Sequence, residues 1–410
     1  MKLSQNRKLS SKKIGSICKI LFFVLSLTTF VVAQKPAPTP TPSLQTPNNR
    51  QRIAPPQSSS VPKPPDSTQK VEEDDQVISV NSRLVVVPVS VIDSNGQPVM
   101  SLKKENFRLE EEGRAQEIAD ISSAEQVPLE IVLLIDVSSS VNPLFEFEKD
   151  AAARFLQDVM KANDRATVFL VGDQPVLVQP RDTSEKTANT IRTISPTKNY
   201  TAFFDTVSSA IEYLKKNSPE KSRRVILSLS DGEDTYSKNT LTAYEGAYKE
   251  LDKKINSLTQ SQRVEILNRY RLAAQDRNYS KILRELQNAD VVFYSVNPAG
   301  ASLKINQISL RGQQGLQRFA DETGGTAFLP KILPNDPAKP LESNGNTKQN
   351  AETLENIFRQ IAAELRAQYL LQFYSESTFQ PGKYVRLKVN LNQQSSFRVR
   401  SRQGYFAASQ

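Results

Sequence analysis

The chain has 410 residues, with 53 basic and 44 acidic side chains, one cysteine, and neither histidine nor tryptophan. The missing histidine excludes Ser-His-Asp and Cys-His catalysis, a histidine general base and His/Cys zinc sites. Any metal must be held by oxygen, which favours Mg2+, Mn2+ or Ca2+. Residues 1–33 carry Lys2, Arg7, Lys8, Lys12, Lys13 and Lys19 with no acid, then an apolar run from Ile20 to Val32 that closes on Val31-Val32-Ala33. This is the pattern of a signal peptide. An uncleaved anchor is the alternative reading, but the run is shorter than the ~20 residues that span a bilayer. Cleavage leaves 47 basic against 44 acidic residues and removes Cys18. The formal charge of +9 therefore gives little support to nucleic-acid binding. No transmembrane segment is expected in the mature chain.

Residues 34–76 hold ten prolines up to Asp66 and then a short charged stretch, and are expected to be a disordered, partly polyproline linker. Order is expected from residue 77. A β-strand region over 77–127 opens with Arg83-Leu-Val-Val-Val-Pro-Val-Ser-Val-Ile92, reaches a hairpin signal at Asn95-Gly96, and continues with a short strand at Phe107–Leu109 before a turn at Glu112-Gly113.

From Leu129 the pattern changes to strands alternating with helices. Strands are predicted at Leu129–Ile135, Ala166–Val171, Arg224–Leu229, Val291–Val296 and Thr326–Leu329, with an edge strand at Val176–Val178. Helices are predicted at Phe145–Lys161, Ser184–Ile194, Ala202–Lys216, Gly312–Glu322 and Ala351–Arg366. This order predicts an α/β domain over 128–366 with a doubly wound, mostly parallel sheet. Residues 237–289 read as a helical insertion, and Pro334–Asn350 as a mobile loop before the last helix. Strand patterning returns over 367–410, at Gln368–Tyr374, Lys383–Leu391 and Ser396–Arg402. In the last of these, Arg398, Arg400 and Arg402 alternate onto one face, which could bind anionic glycan or lipid headgroups but is expected to be a solvated sheet surface. The terminal strands of the two ends are expected to pack as one smaller β-sandwich, since exposed edges need partners.

Chemistry concentrates in two places. Leu129-Glu-Ile-Val-Leu-Leu-Ile-Asp136-Val-Ser138-Ser-Ser140 brings a carboxylate and two alternate hydroxyls to the carboxyl end of a buried strand, where open α/β sheets bind ligands. Such a set offers hard oxygens to a small cation. A plainer reading is that Asp136 or a serine caps the following helix. Arg224-Val-Ile-Leu-Ser-Leu-Ser-Asp231-Gly-Glu-Asp234 is a second strand ending in Asp-Gly, and Thr201 heads the helix between them.

Together these segments resemble the von Willebrand factor type A domain and its metal-ion-dependent adhesion site, Asp-x-Ser-x-Ser, then Thr, then Asp. Asn199-Tyr200 stand where that family often has glycine. The resemblance implies a Mg2+ (or Mn2+/Ca2+) site made by Asp136, Ser138, Ser140, Thr201 and Asp231. It further implies a protein partner whose Asp or Glu fills an open metal position, and no catalytic residue. Val91–Val99, Leu102–Phe107 and the tail around Tyr369–Tyr374 and Arg398–Tyr405 resemble secreted bacterial proteins of the acidobacterial type, which implies a secreted or periplasmic adhesion or assembly module of open oligomeric state. Two other readings stand beside it. One is a structural envelope module whose metal site is vestigial or only stabilising. The other is a phosphotransferase of the haloacid dehalogenase type, which needs a second Asp where this chain has Ser138.

Overall fold

The computed structural model describes residues 83–407 except 139–144, 198–199, 255, 299, 301–306, 334–337, 376–378 and 393–395. The expected signal peptide and linker lie outside the described residues, as does Ser140. Residues Val77–Gln410 form one compact unit.

The centre of that unit is a six-stranded sheet in the order β10-β9-β8-β5-β6-β7. Its strands are β5 (Leu129–Asp136), β6 (Arg165–Val171), β7 (Pro175–Asp182), β8 (Arg223–Leu229), β9 (Val291–Val296) and β10 (Ala327–Phe328). All neighbours run parallel except the edge strand β7. Every residue of β5 is buried, which its near-continuous apolar sequence requires of a strand covered on both faces. Of its two buried acids, Asp136 ends the strand and Glu130 takes a two-pronged ion pair from Arg181 of β7 at 2.7 and 2.8 Å.

Helices cover both faces. On one, α1 (Phe145–Val159), α2 (Ser184–Thr193) and α7 (Pro340–Arg366) pack on Leu133, Leu227 and Tyr294. On the other, α3 (Phe203–Asn217), α5 (Gln260–Asn288) and α6 (Gln307–Thr323) pack on Val132, Leu134, Ile226 and Phe293. In α3, Phe203, Val207, Ala210 and Leu214 are all buried, as one apolar stripe demands. Between β8 and β9, α4 (Lys238–Lys254) and α5 form a hairpin with a small core of Ala247, Leu251 and Ile266. Among the described residues no helix is long and apolar enough to cross a membrane.

The terminal strands interleave. One sheet has the order β13-β1-β11-β4 and another β14-β12-β2-β3. They combine β1 (Arg83–Ile92), β2 (Phe107–Glu111), β3 (Arg114–Gln116) and β4 (Ile118–Ser123) with β11 (Tyr369–Ser375), β12 (Tyr384–Leu391), β13 (Arg398–Ser401) and β14 (Gly404–Phe406). Val85, Val87, Val89 and Val91 of β1 meet Leu109, Leu371, Phe373, Val385 and Leu387 in one core, so the two sheets form a β-sandwich. Pro88 is tolerated in a central strand because β13 pairs β1 only over Val89–Ile92. Glu112 and Gly113, with φ of 49° and 79°, make the tight β2–β3 turn.

Two expectations fail. Helix α7 starts at Pro340, eleven residues before the predicted Ala351, so most of the expected loop is helical. Pro340 supplies a pre-set first-turn φ, while Asn350 ties the helix to the backbone of Leu333 through bonds of 2.8 and 2.9 Å. The arginines of β13 and its extension do not share a solvated face. Arg398 is exposed and Arg400 half-buried, but Arg402 is buried, ion-paired to Asp290 and stacked on Tyr405.

Candidate metal centre

Strands β5 and β8 are adjacent and parallel, so Asp136 and Asp231 leave the same edge of the sheet. The chain then turns sharply at both places. After Asp136, the backbone N–H of Ser138 donates to Asp136 Oδ1 at 3.0 Å, and the Ser138 hydroxyl donates to the same oxygen at 2.5 Å. After Asp231, the N–H of Glu233 donates to Asp231 Oδ1 at 2.9 Å. Gly232 carries the positive φ of 75° that this turn requires. Gly312 of α6 packs against it so closely that a Cβ there would lie 2.7 Å from the Asp231 carbonyl oxygen.

The segment leading into α3 bridges these two loops. On one side the N–H and hydroxyl of Thr197 donate to the carbonyl of Val137. On the other, the N–H of Thr201 donates to Thr235 Oγ1 at 3.1 Å, and the Thr201 carbonyl accepts from the N–H groups of Thr235 and Tyr236 at 2.8 and 2.9 Å. Asp136, Ser138, Thr201 and Asp231 therefore converge on one end of the sheet.

The electrostatics of the cluster are unbalanced. Burial pushes the Asp136 carboxyl up, against the hydrogen bonds from Ser138 and Ser230, with Glu233 adding to the rise. Burial likewise raises Asp231, to about 7, opposed by the Glu233 N–H and reinforced by the charges of Asp136 and Glu233. Among the described residues no Lys or Arg forms an ion pair with any of these three acids. Glu233 is instead bonded by the hydroxyl of Ser309.

Among the described residues no three His, Cys, Asp or Glu side chains gather as a metal site. A cation here must draw on hydroxyls as well, and the donor chemistry fits that. Ser138 spends its proton on Asp136, which leaves its oxygen lone pairs available. The hydroxyl of Thr201, though the residue is buried, makes no hydrogen bond with the described protein. Two carboxylates and two neutral oxygens suit a hard divalent ion.

Two supporting residues escaped the sequence reading. The hydroxyl of Ser230 donates to Asp136 Oδ2 at 2.7 Å and accepts the Gly232 N–H at 3.1 Å, linking both acidic loops. Its signal was a polar residue closing a strand whose last five residues are buried. Asp234, 1% exposed, accepts from the hydroxyls of Ser237 and Thr240 and from the N–H of Phe204. Burial raises its carboxyl against those bonds. It thereby pins the start of α3 to the start of α4 and fixes the loop that holds Thr201.

Residues 131–233 match the profile of the von Willebrand factor type A domain. Solved structures similar to the chain include an aerotolerance-related membrane protein from Bacteroides fragilis (14% identity, 56% of this chain and 99% of that one, TM-score 0.32). Another is a von Willebrand factor type A protein from Catenulispora acidiphila (14%, 64% and 52%, 0.32). A third is proximal thread matrix protein 1 from the mussel byssus with a zinc-occupied MIDAS motif (13%, 62% and 50%, 0.37). The chain thus spans about half the length of the last two. No curated protein matches it. The profile match falls on β5 through the Asp231 loop, so this stretch of the α/β part is similar to the von Willebrand factor type A domain.

Proposed function

We propose that the protein is a secreted or periplasmic binding module that captures an acidic side chain of a partner protein through a divalent cation, with Mg2+ the first candidate. Asp136, Ser138, Thr201 and Asp231 would hold the ion, and Ser140, outside the described residues, completes the expected set. The observation that supports this reading most is the uncompensated pair of carboxylates, Asp136 buried and Asp231 half-buried, beside two hydroxyl oxygens with free lone pairs. A bound divalent ion supplies a Lewis-acidic point that accepts a carboxylate oxygen. The chain's own residues prepare that point. Ser230 and Ser138 fix the Asp136 carboxylate, the Thr235 and Tyr236 contacts fix Thr201, and Asp234 holds both helix starts beneath them. No catalytic role is assigned to any of them.

Calorimetric titration of Mg2+, Mn2+ and Ca2+ into wild type and Asp231→Ala tests the metal part. Capture from envelope extract with Mg2+ or chelator tests the partner part. The reading predicts metal binding and Mg2+-dependent capture in wild type, and loss of both in the variant. Equal capture in chelator would refute it. Metal binding without capture would favour a purely stabilising ion.

A further inference from the structure

Two tyrosines stand at the rim of the cation site. Tyr200 is 59% and Tyr236 38% exposed, and their rings lie nearly parallel, 7° apart in plane with centroids 5.1 Å apart. Among the described residues the other ring pairs of the α/β domain are tilted or edge-to-face and pack in or against its core. Both rings are held in the open beside the loop that carries Thr201.

The backbone explains why the pair is fixed. Tyr200 directly precedes Thr201, and the Tyr236 N–H donates to the Thr201 carbonyl. The same hydrogen bonds that place the Thr201 hydroxyl therefore place both rings. They need little further ordering on contact, which is the condition under which an aromatic anchor adds most to affinity.

We propose that Tyr200 and Tyr236 form a recognition platform, and that the partner segment carries an aromatic side chain next to its captured Asp or Glu. The proposal rests on the cation-capture reading above. Adjacent Cα atoms are about 3.8 Å apart in any chain, so the residue beside a carboxylate held at Thr201 is within one residue's reach of Tyr200. A neutral ring suits the platform better than a basic one. A basic side chain would have to give up its hydration to sit on the rings, whereas ring-on-ring contact needs no charge to be desolvated.

The test uses fluorescein-labelled twelve-residue peptides with one Asp, followed by Tyr, Gly or Arg, and the full chain as wild type, Tyr200→Ala and Tyr236→Ala. Polarisation is read in Mg2+ and in chelator, and Mg2+ affinity separately by calorimetry. In Mg2+ the Asp-Tyr peptide should bind wild type about 2- to 10-fold tighter than Asp-Gly. That advantage should vanish in both variants while their Mg2+ affinity stays within about twofold of wild type, a readout that general unfolding would not spare. Equal Asp-Tyr and Asp-Gly binding with Mg2+ dependence intact overturns the platform and leaves the cation reading standing. Tighter binding of Asp-Arg, or displacement of every peptide by a uronic-acid oligosaccharide, overturns the aromatic assignment. Absence of Mg2+-dependent binding overturns the cation reading and the platform together.

Discussion

Replacing Asp231 by Asn should make the metal-free protein more stable at neutral and alkaline pH. The substitution keeps the acceptor for the Glu233 N–H, at 2.9 Å in the native turn, and removes only the charge. That charge is disfavoured because burial and the neighbouring Asp136 and Glu233 raise the carboxyl from 3.8 to about 7. The sign follows from proton linkage. A carboxyl whose folded value lies above its unfolded one contributes fully below the unfolded value, and its contribution is lost as pH rises toward the folded value. Wild type therefore loses stability relative to Asp231→Asn between about pH 4 and pH 7, and the gap is complete by about pH 8. A tenfold change in proton affinity is worth about 1.4 kcal/mol, so the rise from 3.8 to about 7 sets a gap on the order of 4 kcal/mol at pH 8.

Magnesium should reverse the order. An ion that binds only the folded wild type adds about 2.7 kcal/mol at a hundredfold excess over its dissociation constant. Asp231→Asn should gain far less. Urea denaturation of both proteins at pH 5, 6.5 and 8, in chelator and in Mg2+, reads the whole cycle. A variant less stable than wild type in chelator at pH 8 would refute this, because the charge at Asp231 would then be compensated by something other than a metal.

Three further outcomes follow from the same geometry. Asp234→Ala leaves two hydroxyls and the Phe204 N–H without their buried acceptor and should cost about 3 kcal/mol in urea denaturation, with or without Mg2+. Ser230→Ala deprives Asp136 Oδ2 of its donor and should weaken Mg2+ binding about 10-fold by calorimetry, while an unchanged affinity would remove Ser230 from the site's support. Removing residues 367–410 takes away β11 from between β1 and β4, and β12 from beside β2; limited proteolysis should then cut within 83–123, and continued resistance there would contradict the pairing.

Much of the architecture was legible because buried parallel strands advertise themselves. The runs before Asp136 and Asp231 have almost no polar interruption, which is what a strand covered on both faces needs. The alternation in Tyr384–Leu391 likewise gave a half-buried strand, with Val385, Leu387 and Val389 inward. What escaped depended on distant partners. The first three turns of α7 are mostly exposed, so residues 341–350 show no apolar stripe, although Pro340 marked the start. The arginine alternation over 398–402 was real, but the face it defines meets Asp290 of the α/β domain at Arg402. Ser230 and Asp234 were visible as polar residues beside Asp231, yet their roles exist only once α3, α4 and Asp136 are brought to them.

The sandwich also determines which way the site points. The α/β domain is spliced between β4 and β11, which are hydrogen-bonded neighbours in one sheet, so its entry at Leu129 and its exit at Arg366 are held side by side. Arg223 reinforces that junction by donating to the Leu365 carbonyl at 2.7 Å, and Arg402 joins the start of β9 through Asp290. All of these contacts lie at the amino ends of the parallel strands. Asp136 and Asp231 lie at the carboxyl ends, on the opposite side of the domain. Within the sandwich, Val89 pairs with Tyr369 near the junction, whereas Arg83 pairs with Ser375 at the far end. Arg83 therefore lies at the end of β1 away from the junction, and the junction itself lies at the strand ends away from the acidic loops.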